Sequence, residues 1–266
     1  MGIAVSRFGR LMIGLAGLSA LAQVESPAGG TQRRWVLSNG WIESEFQLTA
    51  SGRFEFKRLT DLRNGSSWRA LDWLPSSPIQ LTVDSDSLDS ETQFVLAGEF
   101  SEEAPRGGRR QVILLEDQRG LGTVRLELEL YPNQPVLRYR VRFVNRQPHR
   151  VWVQAADMLS WWFDDNGGRY RTLWVNQWVK AGKQGNSDHG LFAGWEFDGR
   201  ANARVRQFGS AQYLELSAAV LWLNQPLEAD EEFAVPYAFV GVFQGDWDDA
   251  GRNSWRRACA WRCRIS

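Results

Sequence analysis

Between Thr123 and Asn145 two runs of residues alternate apolar and charged with a period of two, a pattern that fits a strand and not a helix. Val124, Leu126, Leu128 and Leu130 alternate with Arg125, Glu127, Glu129 and Tyr131. Beyond a turn at Pro132 to Pro135, Leu137, Tyr139, Val141 and Phe143 alternate with Arg138, Arg140 and Arg142. Side chains on a strand point to opposite faces in turn, so each run sets an apolar stripe on a core and a charged stripe away from it. Pairing Tyr131 with Val136 brings Glu129 opposite Arg138 and Glu127 opposite Arg140. Such cross-strand pairs contribute a few tenths to about 1 kcal/mol each. An arginine-rich stripe also suits phosphate, but the carboxylates opposite make this one a self-neutralised, solvated face.

The same grammar runs through most of the chain. Arg34 to Leu37 opens a first strand, Asn39-Gly40 is a hairpin turn, and Trp41 to Leu48 follows with Ile42, Ser44, Phe46 and Leu48 on one face. Arg53 to Leu59, Ile79 to Val83, Thr92 to Phe100, Gln111 to Glu116 and Arg150 to Ala156 read as further strands. The acidic segment Asp84 to Ser90 and the Gly-rich, charged segment Glu102 to Arg110 read as loops. After Ala156 the chain reads as loop-rich and aromatic through Trp161-Trp162-Phe163, where Asp164, Asn166 and Gly168 mimic the start of a calcium loop. Arg169 at the sixth place and Val175 at the twelfth break that motif. Strands resume at Arg171 to Val179, Gly190 to Phe197, Ala203 to Phe208, Gln212 to Leu216, Ala219 to Leu223 and Tyr237 to Phe243. About fifteen strands with no helix before Asp246 imply an all-β fold, a large antiparallel two-sheet sandwich. At Asp246 the period changes: a capping Asp, Asp248 and Asp249 in the first turn, and Arg252, Arg256 and Arg257 later on predict a short C-terminal helix.

The ends differ from the middle. Arg7 and Arg10, the apolar run Leu11 to Leu18 and Ala20-Leu21-Ala22 read as a secretory signal over 1–22, followed by a small, polar linker over 23–31. The alternative is an uncleaved N-terminal anchor. Cleavage implies an exported domain over 32–245, with 246–266 as an outgoing helix and shortened linker. Removing Arg7 and Arg10 from 31 basic residues leaves 29 against 31 acidic ones, a formal charge of −2. That balance argues against a nucleic-acid partner and against an anionic membrane surface. With Cys259 and Cys263 as the only cysteines, stability must come from the core and not from a disulfide framework.

Few residues offer chemistry. His149 and His189 are the only histidines, and the two cysteines lack partners for a zinc site, so the residues call for no metal and no cofactor. No nucleophile-elbow, phosphate-loop or dinucleotide motif is present. Asp157, Glu196 and Asp198 are carboxylate candidates only in the sense that every protein has some, and nothing in the sequence singles them out as catalytic, because the separation that hydrolysis needs is spatial. The aromatic content points elsewhere: with 14 Trp and 14 Phe, some rings fill the core and others offer platforms for sugars. In Arg171 to Val179, read as one strand, Trp174, Asn176 and Trp178 share a face, two flat apolar surfaces beside an amide that donates and accepts. The same face packs equally well against a second sheet. With Trp195 and Glu196 of GLFAGWEF, these are the candidate carbohydrate-binding residues.

Several motifs carry a family resemblance. LSNGWIESEF from Leu37, LTDLRNG from Leu59, GLFAGWEF from Gly190, and the E-x-F-x-x-P strand at Glu231 to Pro236 followed by G-D-x-D-D at Gly245 to Asp249 resemble the N-terminal domain of glycoside hydrolase family 36, the α-galactosidase type. The resemblance implies a galactose-mutarotase-like β-supersandwich. It also implies that the catalytic Asp residues belong to a (β/α)8 barrel downstream, so no catalytic residue transfers to this sequence. The expectation is an exported, carbohydrate-associated domain, from a truncated reading frame and inert alone, whose partners are a galactoside or oligosaccharide and a catalytic barrel. The competing expectations are a stand-alone aldose-epimerase-like enzyme, disfavoured by the scarcity of histidine, and a structural or dimerising module.

Overall fold

The structure of the chain, a computed structural model, describes residues 32–164, 170–175, 178–183, 189–208 and 213–244; for 170–183 and residue 208 it describes the backbone alone. In chain order the strands begin with β1 (Arg33–Ser38), β2 (Ile42–Leu48), β3 (Phe54–Asp61), β4 (Ser67–Arg69), β5 (Leu81–Val83) and β6 (Asp86–Leu88). Then come β7 (Phe94–Ala104), β8 (Gly108–Asp117), β9 (Gly122–Leu130), β10 (Val136–Asn145) and β11 (Val151–Asp164). The remainder are β12 (Tyr170–Val175), β13 (Trp178–Lys183), β14 (His189–Trp195), β15 (Ala201–Phe208), β16 (Tyr213–Val220), β17 (Gln225–Leu227), β18 (Glu232–Ala234) and β19 (Ala238–Gln244).

They form three antiparallel sheets. A nine-stranded sheet runs β12-β13-β14-β19-β10-β9-β8-β7, with β18 also on β10. A four-stranded sheet runs β1-β2-β3-β4, and a six-stranded one runs β15-β16-β11-β5-β6 with β17 on β11. The two smaller sheets are stitched through Ser76, which bridges β3 and β11. Its carbonyl accepts from Phe56 N at 2.7 Å, and its hydroxyl contacts the Ser160 carbonyl and accepts from Trp162 N at 3.1 Å. One buried cluster draws on all three sheets, with Phe46 and Phe56 from the four-stranded sheet, Tyr139 from the nine-stranded sheet and Trp161 from the six-stranded sheet meeting edge to face. Trp161 Nε1 donates to the Tyr139 hydroxyl at 2.7 Å, and that hydroxyl donates to the Met158 carbonyl at 2.7 Å, so the polar atoms of both rings are satisfied in the core. The all-β, antiparallel sandwich expected from the alternation is therefore present, and the β9–β10 register places Glu129 opposite Arg138 and Glu127 opposite Arg140.

Five local readings change, the first being that Gln212 to Leu216 and Ala219 to Leu223 merge into the single strand β16. The acidic loop is a hairpin: Asp84 and Ser85 take φ of 47° and 77°, closing β5 on β6, because an aspartate or serine side chain tolerates the left-handed region at small cost. Glu102 to Arg110 is mostly strand, since Arg106 and Gly107 both turn through positive φ and let β7 and β8 pair as far as Ala104 and Gly108. Gly108 has no room for a side chain, as a Cβ there would lie 2.3 Å from the Tyr131 ring. The aromatic stretch after Ala156 continues β11 to Asp164, because Trp161 and Phe163 point into the core; only a bulge between Asp157 and Leu159 interrupts it. Arg171 to Val179 is not one strand but the two arms of the β12–β13 hairpin. The predicted leader, linker and C-terminal helix, with Cys259 and Cys263, lie outside the described residues.

Candidate functional site

The outer face of the nine-stranded sheet gathers the chain's densest chemistry. Reading across β7, β8, β9 and β10, one row is Glu102, Arg110, Glu129 and Arg138, and the next is Phe100, Val112, Glu127 and Arg140. Glu129 is fully buried and accepts from Arg110 Nε at 2.8 Å, Arg138 Nη1 at 2.6 Å, and the hydroxyls of Tyr131 at 2.5 Å and Tyr237 at 3.2 Å. Glu127, 1% exposed, accepts from Arg125 at 2.9 Å, Arg140 at 2.7 Å and Arg142 at 3.0 Å. Tyr237 lies as a lid on this arrangement, with the Arg138 and Arg140 guanidiniums 3.3 and 4.1 Å from its ring centre.

The stripe expected to be solvated is thus roofed over. Arginine guanidiniums and the Tyr237 hydroxyl surround the buried carboxylates, so a polar stripe is sequestered without losing its partners. Burial pushes both Glu127 and Glu129 up, but donors win. Arg140, Arg142 and Arg125 hold Glu127 below the usual carboxylate range, and Tyr131, Arg138 and Arg110 do the same for Glu129. Burial, followed by repulsion from Glu129, raises the Tyr237 hydroxyl. Carboxylates held ionised in this way are poor proton donors, so the face is built for rigidity and not for acid–base work. Outer ion pairs to Glu102, Glu196 and Glu232 balance the five guanidiniums of Arg110, Arg125, Arg138, Arg140 and Arg142 with five carboxylates.

The candidate sugar residues are dispersed. Glu196 joins this face, gripping Arg138 in a two-pronged pair at 2.7 and 2.8 Å. Trp195 is 6% exposed and belongs to the main core, so packing accounts for it. Trp174 and Trp178 stand on different strands: Trp174 pairs with Val179 and Trp178 with Val175, adjacent rungs that belong to opposite faces of the pleat. The rung of Trp174 continues through Ala193, Val240 and Leu137, all core residues, whereas that of Trp178 continues through Gly194 and Phe239 to Arg138. Asn176 lies outside the described residues, as do Asn166 and Gly168. Asp157, on the six-stranded sheet, is driven up to about 6 by burial, with Arg204 opposing and Glu215 reinforcing the shift.

Sequence reasoning placed Tyr131 on the charged face but missed Arg110 and Tyr237 as members of it. Tyr237 reaches the network from 108 residues away along the chain, and no local pattern announces it. A depression of about 430 Å³ bordered by Val36, Ser38, Asn39, Arg109, Gln111 and Leu130 includes no residue of this network; its lining has no carboxylate and so lacks the pair that glycoside hydrolysis uses.

No family model and no curated protein matches the chain. Solved structures do. The galactosidase domain of the α-galactosidase–sucrose kinase AgaSK superposes with a TM-score of 0.59 at 11% identity, covering 80% of this chain and 41% of that one. The family 36 α-galactosidase AgaA of Geobacillus stearothermophilus gives 0.56 at 13% identity, and the α-galactosidase of Lactobacillus brevis 0.52 at 9%, each over 80% of this chain. The chain has the all-β sandwich fold of a domain of the family 36 α-galactosidases, and spans about two-fifths of the length of the chains it matches.

Proposed function

We propose that this chain is an exported, carbohydrate-associated accessory domain, the N-terminal sandwich of an α-galactosidase-like glycoside hydrolase, without catalytic activity by itself. The observation that carries this reading is the likeness of fold to family 36 α-galactosidases over 80% of this chain and 41% of theirs. The charged face agrees with it, since its carboxylates are saturated with donors. A neutral, rigid plate of this kind suits a surface against which a (β/α)8 barrel docks.

AgaA has been solved with raffinose and with stachyose, which makes these two sugars the natural probes. Calorimetric titration of the full chain is expected to show binding of one or both, and incubation with p-nitrophenyl α-galactoside is expected to release no nitrophenol. Turnover by the pure chain would overturn the claim of inertness. Failure to bind these sugars or any other glycan would leave a scaffold in place of a carbohydrate-binding domain.

A further inference from the structure

The six-stranded sheet carries a second feature on its outer face, remote from the charged plate. Tyr213 opens β16 opposite Asp164 of β11, and Glu215 stands opposite Trp162, so Tyr213 and Trp162 are diagonal neighbours on one face. Their rings stack with centroids 5.8 Å apart and planes 18° from parallel. Trp73, on the tight turn closed by Leu71 and Leu74, meets the Tyr213 ring edge to face at 5.9 Å. Tyr213 is therefore fixed between two indoles, while Trp73 remains 62% exposed. An exposed indole held in place by neighbours is a surface that needs no ordering when a ligand arrives.

Polar groups line the next positions on the same face. Glu215 is 8% exposed and accepts from the Ser217 hydroxyl at 2.7 Å, and Arg206 stands across from it on β15 with its side chain exposed. Flat apolar rings bordered by a carboxylate, a hydroxyl and a guanidinium match a sugar, whose CH faces stack and whose hydroxyls both donate and accept. The patch is too small for a stable protein partner: three rings offer at most a few hundred Å², against about 800 Å² per partner in a standard interface.

We propose that Trp73, Tyr213 and Trp162 form a sugar-stacking platform for a neutral oligosaccharide, with Glu215 and Arg206 as hydroxyl partners. The proposal rests on the carbohydrate-associated reading and names the surface that serves it. It is a different surface from the Trp174 and Trp178 candidates, which stand on β12 and β13.

The test is affinity electrophoresis and calorimetry of the full chain with galactomannan, arabinogalactan, xylan and stachyose. Trp73→Ala is an exposed change that leaves the fold intact; Tyr213→Ala is checked for folding by its melting curve. Trp222→Ala serves as control, since Trp222 is 77% exposed but lies beyond the far end of β16, on the order of 25 Å away. Trp73→Ala and Tyr213→Ala are expected to weaken the preferred glycan about tenfold or more, and Trp222→Ala to leave it unchanged. Glycan binding that survives both platform variants, or that falls equally in the control, overturns the platform while leaving the carbohydrate reading standing. If the wild-type chain binds none of the four, both fall together.

Discussion

On the outer face of the nine-stranded sheet, Glu127 and Glu129 are almost wholly buried and yet held below the ordinary carboxylate range. On the outer face of the six-stranded sheet, Asp157 is less buried and is pushed up to about 6. Burial pushes all three carboxylates up. The difference lies in the donors: each glutamate accepts hydrogen bonds from several arginines or tyrosines, whereas Asp157 is favoured only by the charge of Arg204 and is opposed by that of Glu215. A carboxylate's state in this protein follows the number of donors reaching it more closely than its depth. The consequence is two kinds of surface, one closed by its own ion pairs and one with exposed aromatic and polar groups.

Removing a carboxylate from the closed face should have the largest effect. Glu129→Ala leaves Arg110, Arg138 and Tyr131 without a shared acceptor, and urea unfolding is expected to show a loss of about 3–5 kcal/mol, the usual cost of breaking a buried pair. A loss under about 1 kcal/mol would mean that the network is no more than a surface ladder.

Asp157→Asn should act in the opposite direction. With its folded value near 6 and its ordinary value at 3.8, Asp157 binds its proton more tightly in the fold than in the unfolded chain. Its contribution is most favourable in acid and is lost as pH rises through about 6. Asparagine is therefore expected to stabilise the protein by about 3 kcal/mol at pH 8 and to make no difference near pH 3.5, as read from paired melts. Equal melting shifts at both values would show that Asp157 does not titrate as its surroundings imply.

The glutamates carry the reverse sign. Their contribution is fully present above the unfolded glutamate value of about 4.3 and is lost as pH falls through their depressed folded values. Acid unfolding below about pH 4 is expected to be shallower for Glu127→Gln than for the wild-type chain. The smallest effect belongs to Trp73→Ala, whose exposed ring should change stability by no more than about 0.5 kcal/mol. A larger loss would identify Trp73 as a packing residue.

Much of the β9–β10 hairpin was legible in the sequence, because alternation and a short turn together specify the register. The charged partners Glu129–Arg138 and Glu127–Arg140 follow from it directly. β11 was legible only to Ala156: with Trp161 and Phe163 in the core and Trp162 against Tyr213, aromatic residues occupy both faces and erase the period-two signal. The β12–β13 hairpin was hidden for a related reason. Asn176-Gln177 sits between two apolar arms without the glycine that marks a two-residue turn, so Arg171 to Val179 read as continuous. The aromatic group of Trp73, Tyr213 and Trp162 comes from three separate stretches and left no pattern at all.

By itself, then, the sequence determined what the pleat repeats locally where the alternation is clean: which face each side chain of β9 and β10 takes, and how the two strands meet. Only the tertiary structure decided what lies above an outward-facing residue. Tyr237 and Glu196 come to Arg138 from segments distant in sequence and convert a charged stripe into a roofed plate, while among the described residues Trp73 stays 62% exposed. The physical reason is one of range. A strand's period is set by covalent geometry between adjacent residues, whereas desolvation depends on groups brought near by the closing of the whole sheet.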